Sequence, residues 1–183
     1  MVRMIWRRLD LPGHDAAFLR PQAGGTGLSG MAVFHEGEPT GLAYSVRCDA
    51  SWRPLEAEVR GWRGPEAIDL HLCRDAGDGW TRNGVPRPAV AGCVDLDLAF
   101  TPATNLLHIR RLGLQVGQEA ELRSAWLMWP ETRLEPLVQR YRRRGPAEYD
   151  YEADVPDGAP FRALLRVDRD GWVLDYPGLW RAE

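Results

Sequence analysis

From Cys93 to Leu112 the chain reads Cys-Val-Asp-Leu-Asp-Leu-Ala-Phe-Thr-Pro-Ala-Thr-Asn-Leu-Leu-His-Ile-Arg-Arg-Leu, its densest run of polar side chains. On a strand, Cys93, Asp95 and Asp97 point to one face and Val94, Leu96 and Leu98 to the other, because side chains alternate. The two carboxylates then stand about 6–7 Å apart along the backbone. Like charges at that spacing raise one another's pKa unless cations or hydrogen-bond donors intervene. Thr101 to Asn105 reads as a turn and Leu106–Leu112 as a returning strand, which brings Arg110 or Arg111 to the pair as a forked guanidinium partner.

That arrangement leaves several chemistries open. Spaced aspartates bind Mg²⁺ or Mn²⁺, with a nucleotide sugar for instance, when their oxygens are free of arginine. A carboxyl pair roughly 5–9.5 Å apart also suits the acid and base of a glycosidase. Arg110 or Arg111 could instead fix an anionic or sugar head group at a cavity mouth. In the structural alternative the same network staples a hairpin and satisfies its own polar groups. His108, beside the arginines, could add acid–base capacity near neutral pH. Ser29, Ser45, Ser51 and Ser124 lie in no nucleophile elbow, so no serine is assigned to it.

Other motifs carry less. His71 and Cys73 share a strand face at the i, i+2 spacing, but two ligands are not a site; a satisfied histidine and a packed thiol are expected, with no metal and no cofactor. Arg140-Tyr-Arg-Arg-Arg144 is basic and aromatic, and reads as a solvated strand face balanced by Glu131, Glu135 and Glu148. Cys48, Cys73 and Cys93 are odd in number and widely spaced, which suggests neither a disulfide framework nor a zinc ribbon but buried, unreactive thiols.

The elements that must position these residues are strands. Helical periodicity is scarce, and short β-favouring segments recur between glycine, proline and aspartate punctuation, from Arg3–Leu9 through Gly92–Phe100 and Leu106–Leu112 to Gly171–Tyr176. The expectation is an all-β, mainly antiparallel fold with little helix: a strongly curved sheet, open barrel or roll. Pro21–Gly30, rich in glycine, reads as a mobile loop or lid. Arg53–Arg60 followed by Gly64-Pro65 is similar to Arg133–Arg140 followed by Gly145-Pro146, and each stretch runs on to Asp-Gly-Trp, at Asp78–Trp80 and Asp170–Trp172. This suggests one domain over residues 1–183 with pseudo-repeats near 27–100 and 119–180, two similar sheets packed around a cleft.

Composition narrows the function classes. A chain of 183 residues with a formal charge of −3 fits one domain and is no nucleic-acid binder by bulk charge. All 23 basic residues are arginine, so a Schiff-base lysine, a Walker phosphate loop and a pyridoxal-phosphate anchor are excluded. Arg3 and Arg7 leave no room for a signal peptide's apolar stretch of about 7–15 residues. No segment approaches the roughly 18 apolar residues of a membrane helix. A cytoplasmic protein without integral membrane association is expected. Eight tryptophans against four phenylalanines suit an apolar or sugar-stacking interior.

Taken together, Cys48-Asp-Ala-Ser-Trp52, Gly92-Cys-Val-Asp-Leu-Asp-Leu98, Thr101-Pro-Ala-Thr-Asn105, Ile109-Arg-Arg-Leu112, Gln139-Arg-Tyr141 and Val167 through Trp180 resemble the bacterial putative glycolipid-binding family. Its fold is similar to the Lol-system lipoprotein carriers, which hold acyl chains inside an incomplete antiparallel β-barrel. The chain departs at His108, where proline is expected, and in lacking an export signal, so a shuttle between membranes is not implied. The resemblance implies an amphipathic small-molecule partner, such as a glycolipid, bound without chemical change in a cavity lined by tryptophans and leucines. Asp95, Asp97, Arg110 and Arg111 would meet the head group. Trp52, Thr101, Thr104, Asn105, Tyr141 and Tyr176 are the other ligand-binding positions implied. A carbohydrate- or sugar-nucleotide-active enzyme using Asp95 and Asp97, and an interaction protein without ligand, are the alternatives.

Overall fold

Strict alternation of buried and exposed residues builds the sheet. Along Glu38–Asp49, for example, Thr40, Leu42, Tyr44, Val46 and Cys48 are buried while their neighbours face out, the pattern of a strand with one dry face. The computed structural model describes residues 2–155 and 158–183. A first meander comprises β1 (Val2–Arg8), β2 (Gly13–Gln22), β3 (Gly25–Glu36), β4 (Glu38–Asp49), β5 (Pro54–Arg63), β6 (Glu66–Arg74), β7 (Trp80–Arg82) and β8 (Val85–Pro86). A second begins with β9 (Asp95–Leu98) and a helix, α1 (Ala103–Leu112). It continues through β10 (Glu119–Leu127), β11 (Leu134–Gly145), β12 (Glu148–Ala153), β13 (Phe161–Val167), β14 (Val173–Tyr176) and β15 (Trp180–Ala182).

The meanders join edge to edge through β1 and β15, with Trp6 opposite Ala182 and Arg8 opposite Trp180. One continuous 15-stranded sheet results, ordered from β8 through β1 and β15 to β9. It curves without closing, and side chains bridge the gap between its ends. Trp80 Nε1 on β7 donates to the carbonyl of Cys93, just before β9, at 2.7 Å, and Arg82 donates to the carbonyl of Thr132 in the β10–β11 turn. The two similar stretches fall largely in β5 and β11, one in each meander.

The expected turn at Thr101–Asn105 and strand at Leu106–Leu112 are corrected: this segment is α1. Among the described residues only β9 and β10 pair in parallel, and a parallel pair needs a crossover, commonly a helix. Local chemistry agrees with the helix. Thr101 Oγ1 accepts the Ala103 N–H at 3.0 Å, alanine, leucine and arginine are good helix formers, and Gly113 ends it in the left-handed conformation (φ 56°), its N–H bonded to the Ile109 carbonyl. Arg110 and Arg111 occupy the last turn, the favourable end for cations. Residues 103–109 are all buried, so α1 sits inside the curve of the sheet and occupies much of the expected barrel interior.

Pro21–Gly30 is also corrected, from mobile loop to the paired ends of β2 and β3, which continue in register to Gln22 opposite Gly25. Gly24 takes the positive φ of the turn, and Gly25, Gly27 and Gly30 mark close approaches. A Cβ on Gly25 would lie 2.0 Å from the Cys48 carbonyl oxygen, and one on Gly30 would lie 2.3 Å from the Tyr44 ring.

Candidate functional site

Asp95 and Asp97 share a face, as alternation requires, and both are buried, yet their partners come from different elements. Arg111, in the last turn of α1, forks Asp95: Nε donates to Oδ1 at 2.6 Å and Nη2 to Oδ2 at 2.5 Å. Asp97 receives a neutral set, with Thr104 Oγ1 donating to Oδ1 at 2.9 Å and Gln139 Nε2 to Oδ2 at 2.6 Å. The intervening cations and donors that like charges at this spacing require are therefore built in, one set per carboxylate.

The Gln139 amide, on β11, extends the network. Its Nε2 also donates to Tyr151 Oη at 2.8 Å, and its Oε1 accepts from Ser124 Oγ at 3.1 Å. Asn105 Nδ2 donates to Tyr141 Oη at 2.8 Å. His108 Nε2 faces the Leu96 carbonyl at 3.0 Å; because a carbonyl only accepts, that nitrogen carries the proton. His108 Nδ1 is then the acceptor for Tyr141 Oη at 3.1 Å. His108 is fully buried and held at both nitrogens, which corrects its reading as an acid–base group: it ties α1 to β9 and β11. Burial pushes the phenols of Tyr141, Tyr151 and Tyr176 upward, keeping them neutral hydroxyls.

A cleft of about 180 Å³ opens beside this network. Asp97, Thr101, Asn105, Tyr151 and Tyr176 give it polar groups; Leu98, Trp126, Phe161, Leu179 and Trp180 give it an apolar wall. Tyr151, Phe161 and Tyr176 form an aromatic triangle with centroids 5.8–6.3 Å apart, within the range of favourable ring pairs. Phe161, Leu179 and Trp126 are only half-buried, so the apolar wall reaches the surface. The structure thus brings Asp97, Thr101, Asn105 and Tyr176 together, with Thr104 and Tyr141 beneath them. Asp95 and Arg111 form a closed pair to one side.

Arg110 and Trp52 stand apart from the cleft. Arg110 lies 3.6 Å from Asp170 and stacks over the Trp52 ring at 5.4 Å. Trp52 itself has φ 65°, in a turn where Asp49 Oδ1 accepts the N–H groups of Ser51 and Arg53 at 2.8 and 2.9 Å. Of the two arginines expected near the aspartate pair, one reaches it, from a helix rather than a returning strand: Arg111 meets Asp95, while Arg110 turns to Asp170, because adjacent helical residues diverge.

Asp15 on β2 escaped the sequence reading. It is almost fully buried, and its Oδ2 accepts from Tyr44 Oη at 2.8 Å and from Thr101 Oγ1, while Oδ1 has no hydrogen-bond partner within 3.5 Å among the described residues. Burial raises its carboxyl from 3.8 to about 6, against the lowering effect of those two hydroxyls. The available signal was phase: Asp15 alternates with Ala17 and Leu19 on the dry face of β2, so a carboxylate occupies an apolar position.

Larger depressions lie on the outer face. A groove of about 830 Å³ along β10–β13 has a mixed charged and apolar lining, and several of its charges pair with one another: Arg140 meets Glu121, Glu152 and Asp154 at 2.9–3.0 Å, and Arg162 meets Glu152 at 2.5 Å. Arg140 is thus on a solvated strand face, though balanced by other acids than Glu131, Glu135 and Glu148. Of the cysteines, Cys48 and Cys93 are buried, but Cys73 is half-exposed on the outer face, a correction to the expectation of packed thiols throughout.

Residues 3–182 match the sequence profile of the family described as putative glycolipid-binding. A DUF1089 family protein from Pseudomonas aeruginosa, known from its crystal structure, is 34% identical, with 91% of each chain covered and a TM-score of 0.79. The β-barrel-like protein of the domain of unknown function DUF1849 from Brucella abortus shares the fold, with 10% identity, 99% of this chain and 95% of that chain covered, and a TM-score of 0.57. No curated protein matches the chain. With a profile match over nearly its whole length and a likeness in structure to a sequence relative, the chain belongs to the putative glycolipid-binding family.

Proposed function

We propose that this protein binds an amphipathic small molecule, a glycolipid or related lipid-like compound, at the cleft beside α1 and releases it unchanged. The observation that carries this reading is the mixed lining: carboxylate, hydroxyl and amide groups of Asp97, Thr101, Asn105 and Tyr176 beside the apolar surfaces of Trp126, Phe161, Leu179 and Trp180. Each Asp97 oxygen already accepts one bond and retains a lone pair for a ligand hydroxyl. The enclosed 180 Å³ equals about six waters at ~30 Å³ each, enough for a head group or the end of an acyl chain. The remaining chain lies along the half-buried aromatic wall, where each methylene removed from water contributes about 0.8 kcal/mol.

The hydrolase alternative requires a carboxyl free to hold water or give a proton. Both Asp95 oxygens are taken by Arg111, which argues for a structural role there. The test is organic extraction and native mass spectrometry of freshly purified protein, followed by tryptophan fluorescence titration with glycolipids and alkyl glycosides. A co-purifying lipid or a saturable change, weakened about tenfold or more in Phe161→Ala, supports the reading. Bare protein with no change across the panel overturns it.

A further inference from the structure

We propose that Glu56, His71 and Cys73 form a binding site for one zinc-class divalent ion on the outer face of β5 and β6. The strand pairing places Glu56 directly opposite Cys73 and Glu58 opposite His71. Ala57 and Val59 on β5, and Leu70 and Leu72 on β6, point into the core, so alternation turns Glu56, His71 and Cys73 together to the outside. The i, i+2 pair on one strand thereby gains a third ligand from its neighbour, which the sequence spacing alone does not reveal.

The geometry is close to that of a bound ion. His71 Nε2 lies 3.5 Å from Cys73 Sγ and 2.6 Å from Glu56 Oε1, and the three ligand atoms fall within 4.8 Å of one another. With metal–nitrogen and metal–sulfur bonds of about 2.05 and 2.3 Å, a tetrahedral ion separates N and S by roughly 3.5 Å and N and O by roughly 3.3 Å. The imidazole and thiol already stand at that separation. The carboxylate oxygen must withdraw by roughly 0.7 Å, to where a metal replaces the shared proton, and the imidazole must turn, because Cys73 Sγ also lies 3.7 Å from His71 Nδ1 rather than out along the Nε2 lone pair.

The surroundings hold the ligands in place. Arg47 forks the other carboxylate oxygen, with Nε and Nη2 at 3.1 and 2.9 Å from Glu56 Oε2, so Oε1 is the oxygen turned to the site. Both backbone polar groups of His71 are tied to Asn83: its N–H donates to Asn83 Oδ1 and its carbonyl accepts from the Asn83 N–H, each at 2.7 Å. Such outer partners fix ligand orientation in metal sites. A thiolate, an imidazole and a carboxylate form a donor set suited to Zn²⁺ rather than Mg²⁺ or Ca²⁺. A shallow depression lined by Glu58, Arg60, Asp69, His71 and Asn83 adjoins the cluster, leaving the fourth tetrahedral position to water.

Co²⁺ titration of the purified protein tests this, since a thiolate ligand gives a sulfur-to-cobalt charge-transfer band and a tetrahedral site gives intense visible bands. The expected result is one equivalent of Co²⁺ with both features, displaced by one equivalent of Zn²⁺. Cys73→Ser should lose the charge-transfer band, and His71→Ala and Glu56→Gln should each weaken binding about tenfold or more. Cys48→Ala, in the core, should keep the band if it folds; circular dichroism reports the folding of every variant. Absence of a thiolate band, or a band and affinity unchanged in folded Cys73→Ser and His71→Ala, overturns the proposal and leaves an adventitious ion only.

Discussion

Asp15 and Asp95 are both carboxylates sealed from water, and their neighbours treat them oppositely. Asp15 is held by the Thr101 and Tyr44 hydroxyls and, to a smaller degree, by the Ala16 backbone N–H, and burial outweighs them, lifting its carboxyl to about 6. The folded state therefore holds the proton more tightly than the unfolded state. The contribution of Asp15 to stability is fully present below pH 3.8, falls as pH rises toward about 6, and is level above that. At 1.36 kcal/mol per pH unit the loss is about 3 kcal/mol. Asp15→Asn stays neutral, so urea denaturation should show its stability rising relative to the parent by about 2–3 kcal/mol between pH 4 and pH 7; parallel profiles would refute the assignment. Asp95 carries its charge against Arg111 instead. Arg111→Ala strands that carboxylate and should cost about 3–5 kcal/mol, whereas the paired change Asp95→Leu with Arg111→Leu should cost much less. Equal losses in the single and double variants would show that the pair does not act as a unit. Position Asp97 was legible from strand alternation, but Gln139, Thr104 and Tyr151 gathered on it only through tertiary packing.

At the scale of elements, the strands were readable and the helix was not. Alternating burial on β4, β10 and β11 follows the apolar pattern directly, whereas α1 has buried residues on every side from Ala103 to Ile109, so no polar stripe marks its period. Its Gly113 stop and terminal arginines were the surviving signals. The Pro21–Gly30 end of the β2–β3 hairpin reads as a loop for the opposite reason: glycine suggests freedom, whereas at Gly25 and Gly30 it admits close backbone and ring approach. Gly30→Ala places a methyl 2.3 Å from the Tyr44 ring and 2.8 Å from the Ala16 carbonyl oxygen, and overpacking of this kind costs about 1–3 kcal/mol. Amides of residues 27–30, on the paired backbone of β3, should exchange slowly with deuterium, as in the neighbouring strands; exchange at free-peptide rates would restore the mobile lid.

For the whole molecule, the mass predicts an exposed surface of roughly 8,900 Å², and the structure exposes 9023 Å², the area of a compactly folded chain of this mass. The tryptophan surplus divides by place. Trp6 and Trp172 pair in the core with centroids 5.5 Å apart, Trp80 bridges the open ends of the sheet, and Trp126 and Trp180 line the cleft. Most of the ring surface therefore fills the interior rather than lining a large cavity, because α1 occupies the space that an empty curved sheet would leave. The cleft proposed to hold a ligand is correspondingly small, about 180 Å³. The most direct measurement is a chemical-shift map of the isotopically labelled protein titrated with a long-chain alkyl glucoside below its micelle concentration. Saturable shifts concentrated at Asp97, Thr101, Asn105, Trp126, Phe161 and Tyr176 are predicted, while no saturation, or shifts confined to the outer groove along β10–β13, would contradict it.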